Sequence, residues 1–162
     1  MNIFRIAVAS AALLIGSLAN NAMADNADKA LVQSFYDFLS NATSAEHADA
    51  IREATSEDWK SMGDYSGKTN DREGFIGDVS GFYGSLMPDL KFDVQEMIQE
   101  GNKVVVRSRA TATPNGPLFG VDGKGKSIDI LAIDIHTVED GKITETWHLE
   151  NWTGALQQLQ TE

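Results

Sequence analysis

The spacing of apolar residues changes period at Pro88, and no other feature constrains the fold as much. Before it, Leu31, Phe35, Phe38 and Leu39 recur at helical spacing within residues 26–41. Phe75, Val79, Phe82 and Leu86 do so again. After it, Leu90, Phe92 and Val94 alternate with Lys91, Asp93 and Gln95, which is strand spacing. Strands are expected over 103–113, 127–138 and 142–152, and Asp140-Gly141 between the last two is a two-residue hairpin turn. Helices first and antiparallel strands afterwards mean an α+β fold, with helices gathered on one face of a curved sheet.

Cap signals divide the helical half. Thr43-Ser44-Ala45-Glu46 fits a capping box, with Thr43 bonding forward and Glu46 reaching back. A short helix to about Ala54 follows from it. Asn70-Asp71-Arg72-Glu73 opens a third helix, which ends near Pro88. The polar stretch 56–69 reads as a loop carrying Trp59 and Tyr65, and 153–159 as a closing tail.

Residues 1–24 read as a separate segment. Arg5 precedes an apolar run, Ile6 to Leu18, and Ala22-Met23-Ala24 is a small-x-small cleavage site. This predicts a signal peptide cleaved after Ala24, and a secreted or periplasmic protein. The apolar run falls short of the ~20 residues that span a bilayer. Residues 25–162 then form one domain, with 12 basic residues against 24 acidic, a balance of −12. Such a charge argues against nucleic acid, whose phosphates dominate affinity, and against anionic membrane surfaces. No cysteine is present, so thiolate catalysis and disulfides are excluded.

Residues 120–127, GVDGKGKS, fit the phosphate-loop pattern. That loop needs a helix after it, so that backbone N–H groups converge on phosphate. Here the isoleucine-rich alternation of 127–138 follows instead. Nucleotide binding is therefore not expected.

Asp134 is the residue of chemical interest. It stands in Ile130-Leu131-Ala132-Ile133-Asp134-Ile135-His136, the most apolar stretch after residue 24. A poorly solvated carboxyl titrates high, which suits a proton carrier near neutral pH. An ion pair with Arg107 or Arg109 would have the opposite effect. His136 is either a second acid/base group or a partner of Glu145. With Asp140-Gly141 as the turn, His136 faces Glu145 and Asp134 faces Trp147. One sheet face then holds Asp134, His136, Glu145, Trp147 and Leu149. The other holds Ile133, Ile135, Thr146 and His148. His47, His136 and His148 lack metal-ligand spacing, so no metal is expected. Phe35, Phe38, Trp59, Phe82, Tyr83 and Trp147 could line a pocket or fill the core.

Met87-Pro88-Asp89-Leu90, Val94 to Ile98, Gly101 to Arg107, Asp134 with Glu139 to Ile143, Trp147 and Gln157-Gln158-Leu159 resemble the SnoaL-like polyketide cyclases. The likeness covers nearly all of residues 25–162. It implies the cone-shaped α+β fold of the nuclear-transport-factor-2-like superfamily. It also implies a cavity between helices and sheet, no cofactor, and a dimer or larger assembly. In the characterised cyclases an aspartate on the penultimate strand is the general acid/base for intramolecular aldol closure, and Asp134 matches it. The chain departs from the pattern elsewhere. Ala112 to Gly116 lack the histidine often found there, Thr137 replaces an arginine, and Asn151 replaces an aspartate.

Two functions follow. One is a cofactor-free cyclase, isomerase or lyase acting on a small carbonyl compound, with Asp134 and His136 moving protons. Phe35, Trp59, Phe82 and Trp147 would wall its pocket, with Asn151 as a polar contact. The other is a binding or accessory protein with the same cavity and no turnover. Beside these two stands the reading with neither function, a structural dimer module with a filled cavity.

Overall fold

A computed structural model describes residues 9–161, with side chains from residue 23. Arg5 and the start of the apolar run from Ile6, on which the expected signal peptide partly rests, lie outside the described residues. The order is α1 (Ala9–Leu39), α2 (Ala45–Ala54), β1 (Thr55–Met62), β2 (Asn70–Asp71), α3 (Arg72–Asp78), a π-helical turn (Val79–Tyr83) and α4 (Gly84–Leu86). Then come β3 (Lys91–Glu100), β4 (Lys103–Ala112), β5 (Ile128–Glu139), β6 (Lys142–Glu150) and α5 (Trp152–Gln160). The sheet runs β2-β1-β6-β5-β4-β3. All pairings are antiparallel except β1 with β6. Helices followed by a curved, mainly antiparallel sheet is the α+β cone expected from the sequence. Among the described residues no helix is long and apolar enough to cross a membrane.

The caps explain where the helices start. Ser44 caps α2 by accepting from the His47 N–H, one residue after the expected Thr43. Asp71 caps α3 through the Gly74 N–H at 2.8 Å. The helix expected from Phe75 to Leu86 is instead interrupted by the π-helical turn, a form often found beside functional sites.

Two segments read as irregular are regular. Residues 55–62 are the strand β1, which pairs β6 in parallel with a register irregularity between Thr55 and Lys60; Thr55, Trp59 and Ser61 are buried, while Glu57, Asp58 and Lys60 are exposed. Its polar composition comes from the exposed positions. Residues 152–160 are helix α5, because Asn151 caps it through the Gly154 N–H at 3.0 Å and Ala155 and Leu159 are buried.

Glycines in 120–127 serve this packing. A Cβ on Gly123 would sit 2.6 Å from Leu159 Cδ2, so the Leu159 side chain would have to shift from its place against the loop. Gly125 has φ of 83°, a region glycine enters freely. Lys126 bonds the carbonyls of Leu159 and Thr161 at the end of α5, where a cation suits the helix dipole. Strand β5 follows directly at Ile128, so the helix a phosphate loop needs is missing.

Register decides what the core side of the sheet carries. The Asp140-Gly141 turn forms as expected, with φ of 50° and 71°, and Val138 pairs Ile143. The ladder then slips, and Thr137 pairs Glu145. Thr144 is the extra residue of a β-bulge on β6. Beyond it every β6 side chain exchanges faces, since the side-chain period is two. His136 is thus opposite Thr146 and Asp134 opposite His148, not Glu145 and Trp147. Thr146, His148 and Glu150 point inward, while Trp147 and Leu149 point outward.

Candidate functional site

Helix α1 crosses the concave side of the sheet and presents Val32, Phe35, Tyr36 and Leu39 to it, all buried. Between this face, the π-helical turn and the sheet lies a cavity of about 390 Å³. Phe35, Leu39, Phe75, Val79, Leu90, Phe92 and Trp152 supply its apolar wall. Tyr83 joins them, stacked on Trp152 with ring centroids 6.0 Å apart. Asp134, His148 and Glu150 bring polar atoms to the sheet side. Gly63, Asp64, Lys68 and Thr69, from the connection between β1 and β2, form its rim with Asn70 of β2 and Asp78.

Asp134 lines the cavity and is only 2% exposed. Neither candidate arginine reaches it. Arg109 pairs with Asp129 at 2.5 Å, and Arg107 with Glu96 at 3.4 Å, both on the far face of the sheet. Burial pushes the Asp134 carboxyl up to about 7. The Tyr36 hydroxyl, donating to Oδ2 at 2.7 Å, holds it down against that trend. Glu150's charge raises it further and His148's lowers it.

His148 is the second titratable group on the wall. Its Nδ1 lies 3.2 Å from Glu150 Oε2, and this bond raises its pKa against the effect of burial. The charges of Glu150 and Asp134 add to the rise. Asp134 and His148 are directly opposite neighbours on β5 and β6. A carboxyl near neutrality thus stands beside an imidazole stabilised in its cationic form.

His136 is fully buried and does not line the cavity. Its Nε2 meets the Tyr36 hydroxyl at 2.9 Å and its Nδ1 meets Thr146 Oγ1 at 3.0 Å. Burial drops its pKa to about 3, so it is neutral at ordinary pH. It does not pair with Glu145, because the bulge turns Glu145 to the other face.

The other candidates scatter. Phe35 lines the cavity. Trp59 lies one layer behind, against Phe35 and Phe75 at 6.1 and 5.2 Å, and donates from Nε1 to Thr146 at 3.1 Å. Phe82 is half exposed and packs on Tyr83, because the π-helical turn rotates it outward. Trp147 stands on the outer face of the sheet beside Tyr65. Asn151 is spent on capping α5.

Tyr36, His148 and Glu150 are the residues the sequence reading passed over. Tyr36 belongs to the stripe Val32, Phe35, Tyr36, Leu39, whose i, i+3, i+4, i+7 spacing could have found it. His148 and Glu150 could be placed only by knowing the bulge. Among the described residues no group of three or more His, Asp or Glu side chains could hold a metal ion.

Residues 29–159 match the family profile described as SnoaL-like polyketide cyclase. Solved structures agree on the fold. IdmH from Streptomyces antibioticus, assigned as a polyketide cyclase, is 25% identical, with a TM-score of 0.71 over 83% of this chain and 99% of its own. A protein from Jannaschia sp. CCS1 assigned as a SnoaL-like polyketide cyclase is 21% identical, with a TM-score of 0.72 over 85% and 94%. A cyclase homologue from Bacillus cereus is 29% identical, with a TM-score of 0.63 over 80% and 77%. Curated protein sequences give no match. With the profile covering most of the chain and the cone-shaped fold around the Asp134 cavity, this protein belongs to the SnoaL-like polyketide cyclase family.

Proposed function

We propose that this protein is an exported, cofactor-free acid/base enzyme that closes or isomerises a small, largely apolar carbonyl compound. The observation that carries the reading is Asp134: buried, in the cavity wall, unpaired by arginine, and poised near neutral pH. The ionised carboxylate takes a proton from the carbon next to a carbonyl, leaving an enolate. The enolate carbon attacks a second carbonyl of the same molecule. The alkoxide so formed takes the proton back, and no oxidant or reductant is consumed. His148, whose cationic form is favoured by its bond to Glu150, faces the developing oxyanion and stabilises it, the kind of charge placement that supplies much of an enzyme's rate. The apolar wall excludes water from the enolate.

A panel of 1,3-dicarbonyl compounds and short poly-β-ketones, incubated with residues 25–162 and followed by mass spectrometry, tests this. Turnover is expected, rising as pH passes about 7, where Asp134 ionises. A compound that binds and returns unchanged at every pH would make this a binding protein instead.

Export is supported by the segment 1–24, with its apolar run and Ala22-Met23-Ala24. A homodimer is supported by the outer sheet face, where Leu131 and Leu149 are more than half exposed beside Ile133, Ile135 and Trp147. Contiguous apolar surface of this kind marks an interface. Leu149→Glu is expected to turn a dimer into a monomer in sedimentation without unfolding it. A wild-type monomer would refute that assembly.

A further inference from the structure

Five buried side chains form one string of hydrogen bonds that ends at Asp134. Trp59 Nε1 lies 3.1 Å from Thr146 Oγ1, which lies 3.0 Å from His136 Nδ1. His136 Nε2 lies 2.9 Å from the Tyr36 hydroxyl, which lies 2.7 Å from Asp134 Oδ2. Trp59, Thr146, His136 and Tyr36 are almost wholly buried, and none lines the cavity. Buried polar groups in such numbers are costly unless each is paired, so the direction of every bond matters.

That direction follows from what each group can do. An indole N–H only donates, so Trp59 occupies Thr146 Oγ1 as an acceptor. The single hydroxyl hydrogen of Thr146 is then free for His136 Nδ1. A neutral imidazole has one N–H, which must be on Nε2 and must point at the Tyr36 oxygen. The one hydrogen of Tyr36 is left for Asp134. Every donor and acceptor is used once. The reverse order would aim two donors at Thr146 and leave its own hydrogen without a partner in the string.

We propose that His136 is a positioning residue, fixed as the Nε2–H tautomer by Thr146 and Trp59, and that it obliges the Tyr36 hydroxyl to donate to Asp134. The proposal rests on reading Asp134 as the proton carrier, and it assigns control of that group to residues that never meet the ligand. It also explains why a histidine sits two positions beyond Asp134 while facing no cavity. The groups facing Asp134 are few. Helix α1 brings Tyr36, and β5 itself brings His136. Strand β6 brings His148 and Glu150. Strand β4 brings Val106, directly opposite, and no titratable group on the inner face. Asp64, Lys68 and Asp78 stand at the rim.

Nitrogen NMR of His136 in residues 25–162 reads the tautomer directly. The Nε2–H form is expected, and an Nδ1–H form or a mixture overturns the proposal. The carboxyl-carbon titration of Asp134 is then compared in wild type, Thr146→Val and Thr146→Ser. Thr146→Val removes the donor to Nδ1 and frees Tyr36 to turn toward His136. The Asp134 midpoint is expected to move up by about one pH unit, a tenfold change in its ionisation. Thr146→Ser keeps the hydroxyl and is expected to restore it. An unmoved midpoint in Thr146→Val overturns the proposal. If that variant does not fold, the wild-type tautomer decides alone. Both readouts need no substrate, so a failure to find turnover would count against the enzyme and not against the string.

Discussion

Asp134→Asn is expected to abolish turnover and stabilise the protein at alkaline pH. The loss of the proton carrier should lower the rate by about 10²–10⁴-fold, the usual contribution of a positioned acid/base group. The stability change follows from linkage. The Asp134 pKa is about 7 in the folded protein against a model-compound value of 3.8. Between those values the folded state holds a proton that the unfolded state has released. Stability attributable to this group therefore falls as pH rises from about 4 to 7, and is lowest above 7. The gap corresponds to about 4 kcal/mol. Asparagine keeps the shape, accepts from Tyr36 and carries no charge at any pH. The variant should match wild type at pH 4 and exceed it by up to about 4 kcal/mol at pH 8.5 in denaturant titrations. His136 adds a second slope of opposite sign. Its folded pKa is near 3 against 6.5, so the stability it contributes is lost as pH falls through that range. The two slopes offset one another in wild type, and in Asp134→Asn the acid-side loss should stand alone. A variant less stable than wild type at pH 8.5 would mean that the carboxylate is a favourable charge in its site.

Tyr36→Phe should be the most damaging change among residues outside the cavity wall. It leaves Asp134 Oδ2 without its donor and His136 Nε2–H without its acceptor. Both are buried, and each orphaned group costs about 1–3 kcal/mol. Because the Tyr36 bond is what restrains the Asp134 pKa, the carboxyl should titrate above 7 in the variant. Activity at pH 7 should fall and return as the pH is raised. Asp134→Asn should be inactive throughout, so the two profiles separate loss of the base from loss of its tuning. An acid limb at the same pH in wild type and Tyr36→Phe would show that the hydroxyl does not govern the carboxyl.

Several parts of the site could be read before any coordinates. Asp134 was marked by its place in an isoleucine-rich strand, since a carboxylate there must lose water or find a partner. Phe35 was marked by its spacing on α1. Other parts could not be read. An unbroken ladder from the turn at Asp140-Gly141 puts Trp147 beside Asp134. A single extra residue at Thr144 put His148 there instead. Nothing local in Lys142 to Trp147 announces the bulge, because a strand sequence is compatible with either register until one face must be buried. Residues 55–62 were hidden for a related reason. A strand whose exposed positions include Glu57, Asp58 and Lys60 looks like a loop until β6 is laid beside it.

Local sequence is enough for the helical stripes of α1 and α3, the alternation of β3 to β5, a helix start at Asn70 to Glu73, and the hairpin at Asp140-Gly141, while β1, β2 and α5 break the simple division at Pro88. Those local signals depend on neighbours within a few residues, whose steric and hydrogen-bonding demands are the same in any context. Only the tertiary structure decided which side chains share a face and which groups meet across it. The contact between Tyr36 and Asp134 joins residues 98 positions apart, and Trp59 reaches Thr146 across 87. Such contacts follow from register and from the crossing of α1 over the sheet, and burial there set whether Asp134 and His136 are charged.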